Sequence, residues 1–216
     1  MGNLALQNLE DNEPDYEILN GRIFLMAAPT TNHISAAGNI YHIFAGYLWN
    51  KRCRVFPDGM ELHLENIENI ENIENIENIE NIADKKDKRE KNVLKPDVMV
   101  ICNKDIIKSD GIYGTPDLIV EVLSPKTAKN DKGYKKNLYE QIGVKEYWIV
   151  SSQEKSIEVY LLKDNRYELD DVYQIYPDFM VEKMDEEEKS EIIKEFKTSL
   201  FDDLTISVED VFYNVD

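Results

Sequence analysis

The chain has 216 residues, 42% of them hydrophobic, which is enough for one sizeable domain with a true core. Its 25 Lys and Arg against 43 Asp and Glu leave a net charge of -18, which argues against a broad electrostatic grip on nucleic acid. No apolar run approaches the roughly 20 residues that span a bilayer. The N-terminal MGNLALQNLEDNEPDYE lacks the pattern of a signal peptide, and Cys53 and Cys102 make no disulfide framework, so a cytoplasmic protein in a reducing compartment, with no membrane partner, is expected.

Along the chain, DYEILNGRIFLM (15–26) reads as a short helix end or strand, a turn at Asn20-Gly21, then a strand. Glu17 within it is expected at the surface, with assistance to a metal site from this N-terminal segment as the lesser reading. Pro29-Thr30-Thr31-Asn32 is a helix-start signal. Ile34, Ala37, Tyr41, Phe44 and Leu48 then recur at helical spacing, predicting an amphipathic helix over about 32–50. His33, at its start, is expected to cap or pack. Val55-Phe56 and the alternating Met60, Leu62 and Leu64 predict two short strands around Pro57-Asp58-Gly59.

The run ENIENIENIENIENIENI (65–82) carries six Glu and no base. A three-residue period advances ~300° in an α-helix, so its Ile would drift around the axis by ~60° per repeat. In a strand they would alternate between faces, and long 3₁₀ runs are uncommon. No regular element gains an apolar face, so about 65–92 is read as a low-complexity loop insertion extending a hairpin. Deleting Glu65 to Ile82 should leave the melting temperature nearly unchanged, because loop length enters closure entropy only weakly. A loss of several kcal/mol in thermal unfolding would mean that the repeat is packed structure.

Val98 to Ile101 and the apolar run of PDLIVEVLSP (116–125) predict two strands, each preceded by a Pro-Asp pair, Pro96-Asp97 and Pro116-Asp117. The second contains Glu121, and an unpaired carboxylate is expensive to bury, so the chain must neutralise it or supply a cation. KTAKNDKGYKK (126–136) follows, with five Lys and one Asp. A helix is expected from Asp131 to Ile142, with Tyr134, Leu138 and Ile142 inward and Gly143 as its stop. Strands are expected over Glu146 to Val150, Ile157 to Leu162 and Tyr167 to Ile175, with Trp148 in the core. A charged insertion is expected over about 181–198, and the tail, Leu204 to Phe212, should dock on the body.

Asp117 and Glu121 lie roughly 13 Å apart along one extended strand, too far for one ion to bridge. Asp117 is therefore read as a turn residue. Asp97 starts a different strand, and if the two strands are neighbours Asp97 and Glu121 can converge. Two carboxylates with a backbone carbonyl and water are the hard oxygen ligands that Mg²⁺ or Mn²⁺ prefers. A nearby lysine would orient or deprotonate the attacking water and stabilise the transition state.

The blocks KPDVMVIC and PDLIVEVLSPKTAKNDKGYKKNLYEQIGVKEYWIV resemble the Uma-type family of restriction endonucleases, placed in the PD-(D/E)xK nuclease superfamily. The resemblance extends from YEILNGRIFLMAAP and the His33 helix to LTISVEDVF. It implies one α/β domain over 1–216, a restriction-endonuclease-like core with a central mixed sheet flanked by helices, and Asp97 and Glu121 as metal ligands. Leu123 stands where the superfamily has its lysine. The superfamily tolerates migration of that lysine to a neighbouring helix. Asp131, Lys135 and Tyr139 match the Uma-type spacing, so Lys135 is the candidate and Lys136 the fallback; Lys135 and Tyr139 share a helical face at i, i+4. The expected activity is that of a Mg²⁺-dependent endonuclease acting on DNA, contacted through Lys126, Lys129, Lys132 and Lys136, with a homodimer as the simplest way to cut two strands. The alternative, favoured by the net charge, is a catalytically silent nuclease-fold module that binds a protein partner or mimics DNA.

Overall fold

A computed structural model describes residues 15–64 and 92–216. The ENI repeat lies outside the described residues. Strands β1 (Tyr16–Leu19) and β2 (Arg22–Leu25) form a hairpin. Asn20 and Gly21 both take positive φ at its turn, as a tight two-residue connection requires. Helix α1 (Thr31–Leu48) is started by Thr30, whose hydroxyl accepts the His33 N–H. β3 (Arg54–Pro57) and β4 (Leu62–Leu64) follow, then β5 (Asn92–Leu94), antiparallel to β4. Residues 65–91 therefore join two neighbouring antiparallel strands.

β6 (Val98–Ile101), β7 (Ile112–Tyr113) and β8 (Leu118–Val122) lead into α2. This helix begins at Ala128–Asn130, widens into a π-helical segment at Asp131–Lys135 and ends with Lys136–Gln141. It thus starts ahead of the expected Asp131; Ser124 and Thr127 exchange side-chain and backbone hydrogen bonds at its entry. Gly143, at φ 82°, closes its far end. β9 (Glu146–Ser151), β10 (Ser156–Lys163) and β11 (Arg166–Gln174) form a meander. Short helices α3 (Asp178–Val181) and α4 (Glu186–Ser190), strands β12 (Glu195–Lys197) and β13 (Thr205–Ser207) and helix α5 (Val208–Val211) complete the chain.

The main sheet has the order β11-β10-β9-β8-β6-β3, parallel only between β8 and β9. A second sheet has the order β2-β1-β5-β4-β7. Side-chain alternation gives the main sheet two apolar faces. Leu118, Val120, Val122, Trp148 and Val150 pack under Ala36, Ile40 and Phe44 of α1 and under the C-terminal segment. Met99, Ile101, Ile119, Tyr147 and Ile149 pack under Leu138 and Tyr139 of α2 and under Leu19, Leu62 and Leu94 of the second sheet. The fold is a mixed α/β sheet with helices against both faces.

Residues 181–198 contain α4, closed at its start by reciprocal bonds between Asp185 and Glu188. They also contain β12, whose Phe196 is buried against Trp148 and stacked on Tyr173. The end of this charged stretch is therefore core. Cys53 and Cys102 correct the expectation drawn from their distance in sequence: β3 and β6 pair antiparallel, Arg54 opposite Ile101, and the two cysteines just beyond that pair are joined by a disulfide. Among the described residues no helix is long and apolar enough to cross a membrane.

Candidate active site

Glu121 shares strand parity with Ile119, so it points from the main sheet toward α2 and the second sheet. β6 is its antiparallel neighbour, with Val98 opposite Val120 and Met99 opposite Ile119. One further step of that register sets Asp97 across from Glu121. The strands are thus the neighbours that convergence requires. Asp97 is clamped in place. Its Oδ2 accepts the Val122 N–H at 2.6 Å, and its Oδ1 lies 2.9 Å from His33 Nε2.

Glu121 gains its neutralising partners from α2. Its Oε1 accepts the Tyr139 hydroxyl at 2.7 Å and the Lys135 ammonium at 3.1 Å. Lys135 Nζ also lies 2.8 Å from Glu17 Oε1 on β1 and 3.5 Å from Asp131 Oδ1. The Glu17 oxygen additionally accepts the Lys95 N–H at 2.9 Å. Glu17, Asp97, Glu121, Asp131 and Lys135 are all buried. The π-helical segment holds two of them, and such bulges recur at functional sites. Two further bonds fix it: Tyr134 donates to Asn92 Oδ1 and Tyr147 to the Asp131 carbonyl.

Burial alone would pull the Lys135 pKa down, but Glu121, Glu17 and Asp131 outweigh it and hold the ammonium well above its ordinary value. Burial pushes the Glu121 carboxyl well up, and Lys135 offsets this only in part. Burial also raises Asp131. Burial pulls the His33 imidazole down, but Asp97, with Asp58 and Asp131, together outweigh it and leave the pKa raised.

Four buried carboxylates thus face one lysine and one imidazole. An excess of buried negative charge is costly, and a hard divalent cation would balance it. The donor set fits such an ion. Each Asp97 oxygen carries one bond and keeps lone-pair capacity, and Glu121 Oε2 has no partner among the described residues. Among the described residues no three or more His, Cys, Asp or Glu already form a metal cage. Asp97 and Glu121 would hold an ion with backbone oxygen and water completing its shell.

The remaining candidates fall elsewhere. Asp117 Oδ2 accepts the Cys102 N–H and its Oδ1 pairs with Lys145, both at 2.7 Å, so it organises a strand end. Lys126 and Lys129 are exposed. Lys132 pairs with Glu158 at 2.6 Å, and Lys136 sits 3.6 Å from the centre of the Tyr160 ring, away from Glu121. Two expectations are corrected. His33 does not merely cap or pack: the first turn of α1 aims it at Asp97. Glu17 is not a surface residue: β1 carries it into the ion cluster, a placement that follows from its position beside the buried Ile18 and Leu19.

Comparison with known proteins agrees with this architecture. Residues 4–184 match the model of the Uma2 family, described as "Putative restriction endonuclease". An uncharacterized protein of Synechocystis sp., slr1290, is 26% identical over 161 residues, 74% of this chain and 73% of its own. A crystal structure of "a putative nuclease belonging to DUF820" from Anabaena variabilis superposes with a TM-score of 0.61 at 17% identity, covering 96% of this chain and 94% of that one. That likeness is one of fold.

Proposed function

Because the chain belongs to the Uma2 family, we propose that it is a divalent-metal-dependent endonuclease that hydrolyses DNA phosphodiester bonds at Asp97, Glu121 and Lys135. The observation that carries this reading is the meeting of Asp97 and Glu121 across β6 and β8 beside a lysine held charged. Mg²⁺ or Mn²⁺ at the two carboxylates would supply Lewis-acid stabilisation of phosphate charge. His33 and the Val122 N–H orient Asp97, and Tyr139 orients Glu121. Lys135 contributes positive charge and an N–H toward the phosphoryl oxygens. To do so Lys135 must release one of the three carboxylates that surround it, and Glu121 would be the one to let go if it held a cation.

One observation favours a catalytically silent module: in the arrangement described, Lys135 is fully engaged by Glu17, Glu121 and Asp131. Incubating supercoiled plasmid with the protein and Mg²⁺ or Mn²⁺ separates the two. Nicking that Asp97→Asn abolishes supports the nuclease; intact plasmid, with no site for either ion in a titration, supports the silent module.

DNA binding should be weak and steeply salt-dependent on a chain of net charge -18. Lys126 and Lys129, both exposed just beyond β8, are the lysines to test. Reversing both to Glu should flatten the salt dependence measured by fluorescence anisotropy, by a slope of roughly 2 for duplex DNA, and leave the melting temperature unchanged. An unaltered slope would move the contact surface elsewhere.

A further inference from the structure

The buried ammonium of Lys135 has three N–H groups to place. Two of its carboxylate neighbours lie within hydrogen-bond distance, Glu17 Oε1 at 2.8 Å and Glu121 Oε1 at 3.1 Å. The third, Asp131, shares the π-helical segment with Lys135, and its Oδ1 stops 3.5 Å from Nζ, an ion-pair distance too long for a good hydrogen bond. That oxygen is buried and accepts no hydrogen bond among the described residues. The surroundings of the three differ. Glu17 Oε1 is held by the Lys95 N–H, and the Asp131 backbone by the Tyr147 hydroxyl. Glu121 Oε1 has the Tyr139 hydroxyl as a second donor, which stays with it if the lysine leaves.

A buried acceptor without a donor is costly, and here it stands beside an ammonium bonded instead to a carboxylate that fits a cation. Ammonium and ion therefore compete for Glu121. We propose that Lys135 stands in for the cation on Glu121 in the ion-free protein, and that Asp131 is the positioning residue that takes the ammonium over when an ion binds, with Glu17 as the partner it keeps throughout. The inference rests on the reading of Asp97 and Glu121 as the ion's ligands. The transfer is short: closing 3.5 Å to the roughly 2.8 Å of a charge-assisted bond takes about 0.7 Å, within easy reach of a four-carbon stem. Charge then balances in two groups, the ion with Asp97 and Glu121 and the ammonium with Glu17 and Asp131, so every buried carboxylate has a cation. Loading the ion and freeing one lysine N–H from Glu121 become a single event. The lysine is thus made available to a phosphoryl oxygen only in a site that already holds its metal.

Two crystal structures of the full-length protein test the transfer, one in EDTA and one with Mn²⁺, whose anomalous scattering locates the ion without any reference to activity. With Mn²⁺ on Asp97 and Glu121, Nζ should keep Glu17, bond Asp131 Oδ1 and leave Glu121. Calorimetric titration with Mn²⁺ supplies a second readout. Lys135→Met should bind the ion roughly tenfold or more tightly than wild type, because a like charge competing for Glu121 is gone. Asp131→Asn should bind it more weakly, although Asp131 supplies no ligand. Mn²⁺ seated on Asp97 and Glu121 with Nζ still bonded to Glu121 overturns the proposal and leaves the metal site standing. A Lys135→Met affinity equal to or below that of wild type overturns it too, and where that variant fails to fold the two crystal structures alone give the answer. A cluster that takes up no Mn²⁺ in either experiment overturns the proposal together with the ligand reading beneath it.

Discussion

Lys135→Met should be the most destabilising single substitution in the ion cluster, costing about 3–5 kcal/mol in denaturant unfolding at neutral pH. The methionine fills much of the volume of the lysine stem, so the cost is electrostatic. Lys135 is 3% exposed and faces Glu17, Glu121 and Asp131, and its removal leaves three buried carboxylates without a cation. Acid should relieve part of the loss by protonating them. Adding Glu121→Gln to Lys135→Met should also recover part of it, which separates electrostatic frustration from a packing defect. A single variant as stable as wild type would mean that these carboxylates are already neutral and that Lys135 is a spectator. Cleavage should be lost in either variant, since neither keeps the charge beside the phosphate.

Glu121→Gln should produce the largest loss of function for the smallest loss of structure. The amide keeps the shape and can still accept from Tyr139 and Lys135. It removes one of the two anionic oxygen ligands, so cleavage should fall by more than the roughly 10–100-fold that a partner behind a metal ligand contributes. The folded protein holds the Glu121 pKa well above the ordinary carboxylate value because of burial. Its stabilising contribution is therefore complete below the unfolded pKa and is lost as pH rises through the raised folded one. Wild-type stability without divalent ions should accordingly decline with rising pH over that window, and Glu121→Gln should flatten the decline. Parallel pH profiles for the two proteins in EDTA would show that the carboxylate pays no burial penalty.

Much of this arrangement was legible in the residues. The apolar run around Glu121 could only be a strand, and the Pro-Asp start of its neighbour brought a second carboxylate to the same end. The i, i+4 spacing of Lys135 and Tyr139 put both on the face that meets Glu121, and both now touch one oxygen of it. What escaped was set by tertiary register. Glu17 sits on a strand whose sheet assignment depends on pairing with β5, far along the chain. Cys53 and Cys102 meet only because β3 pairs with β6. His33 had a visible signal, the helix start at Thr30, but nothing local says that Asp97 lies within its reach. The π-helical widening of α2 leaves no mark in a 3.6-residue periodicity, and it carries both Asp131 and Lys135 into the cluster.

The claim that Asp97 and Glu121 exist to hold a cation is tested most directly by thermal unfolding of wild type and Glu121→Gln, each in EDTA and in saturating Mg²⁺ or Mn²⁺. In EDTA the variant should be as stable as wild type or slightly more so, because one buried negative charge beside Asp97 and Asp131 is gone. With the ion, wild type should gain stability that rises with ion concentration, by about 2.7 kcal/mol at a hundredfold excess over the dissociation constant. The variant should gain little or none. A variant stabilised by the ion as much as wild type, or a wild type indifferent to it, would contradict the account.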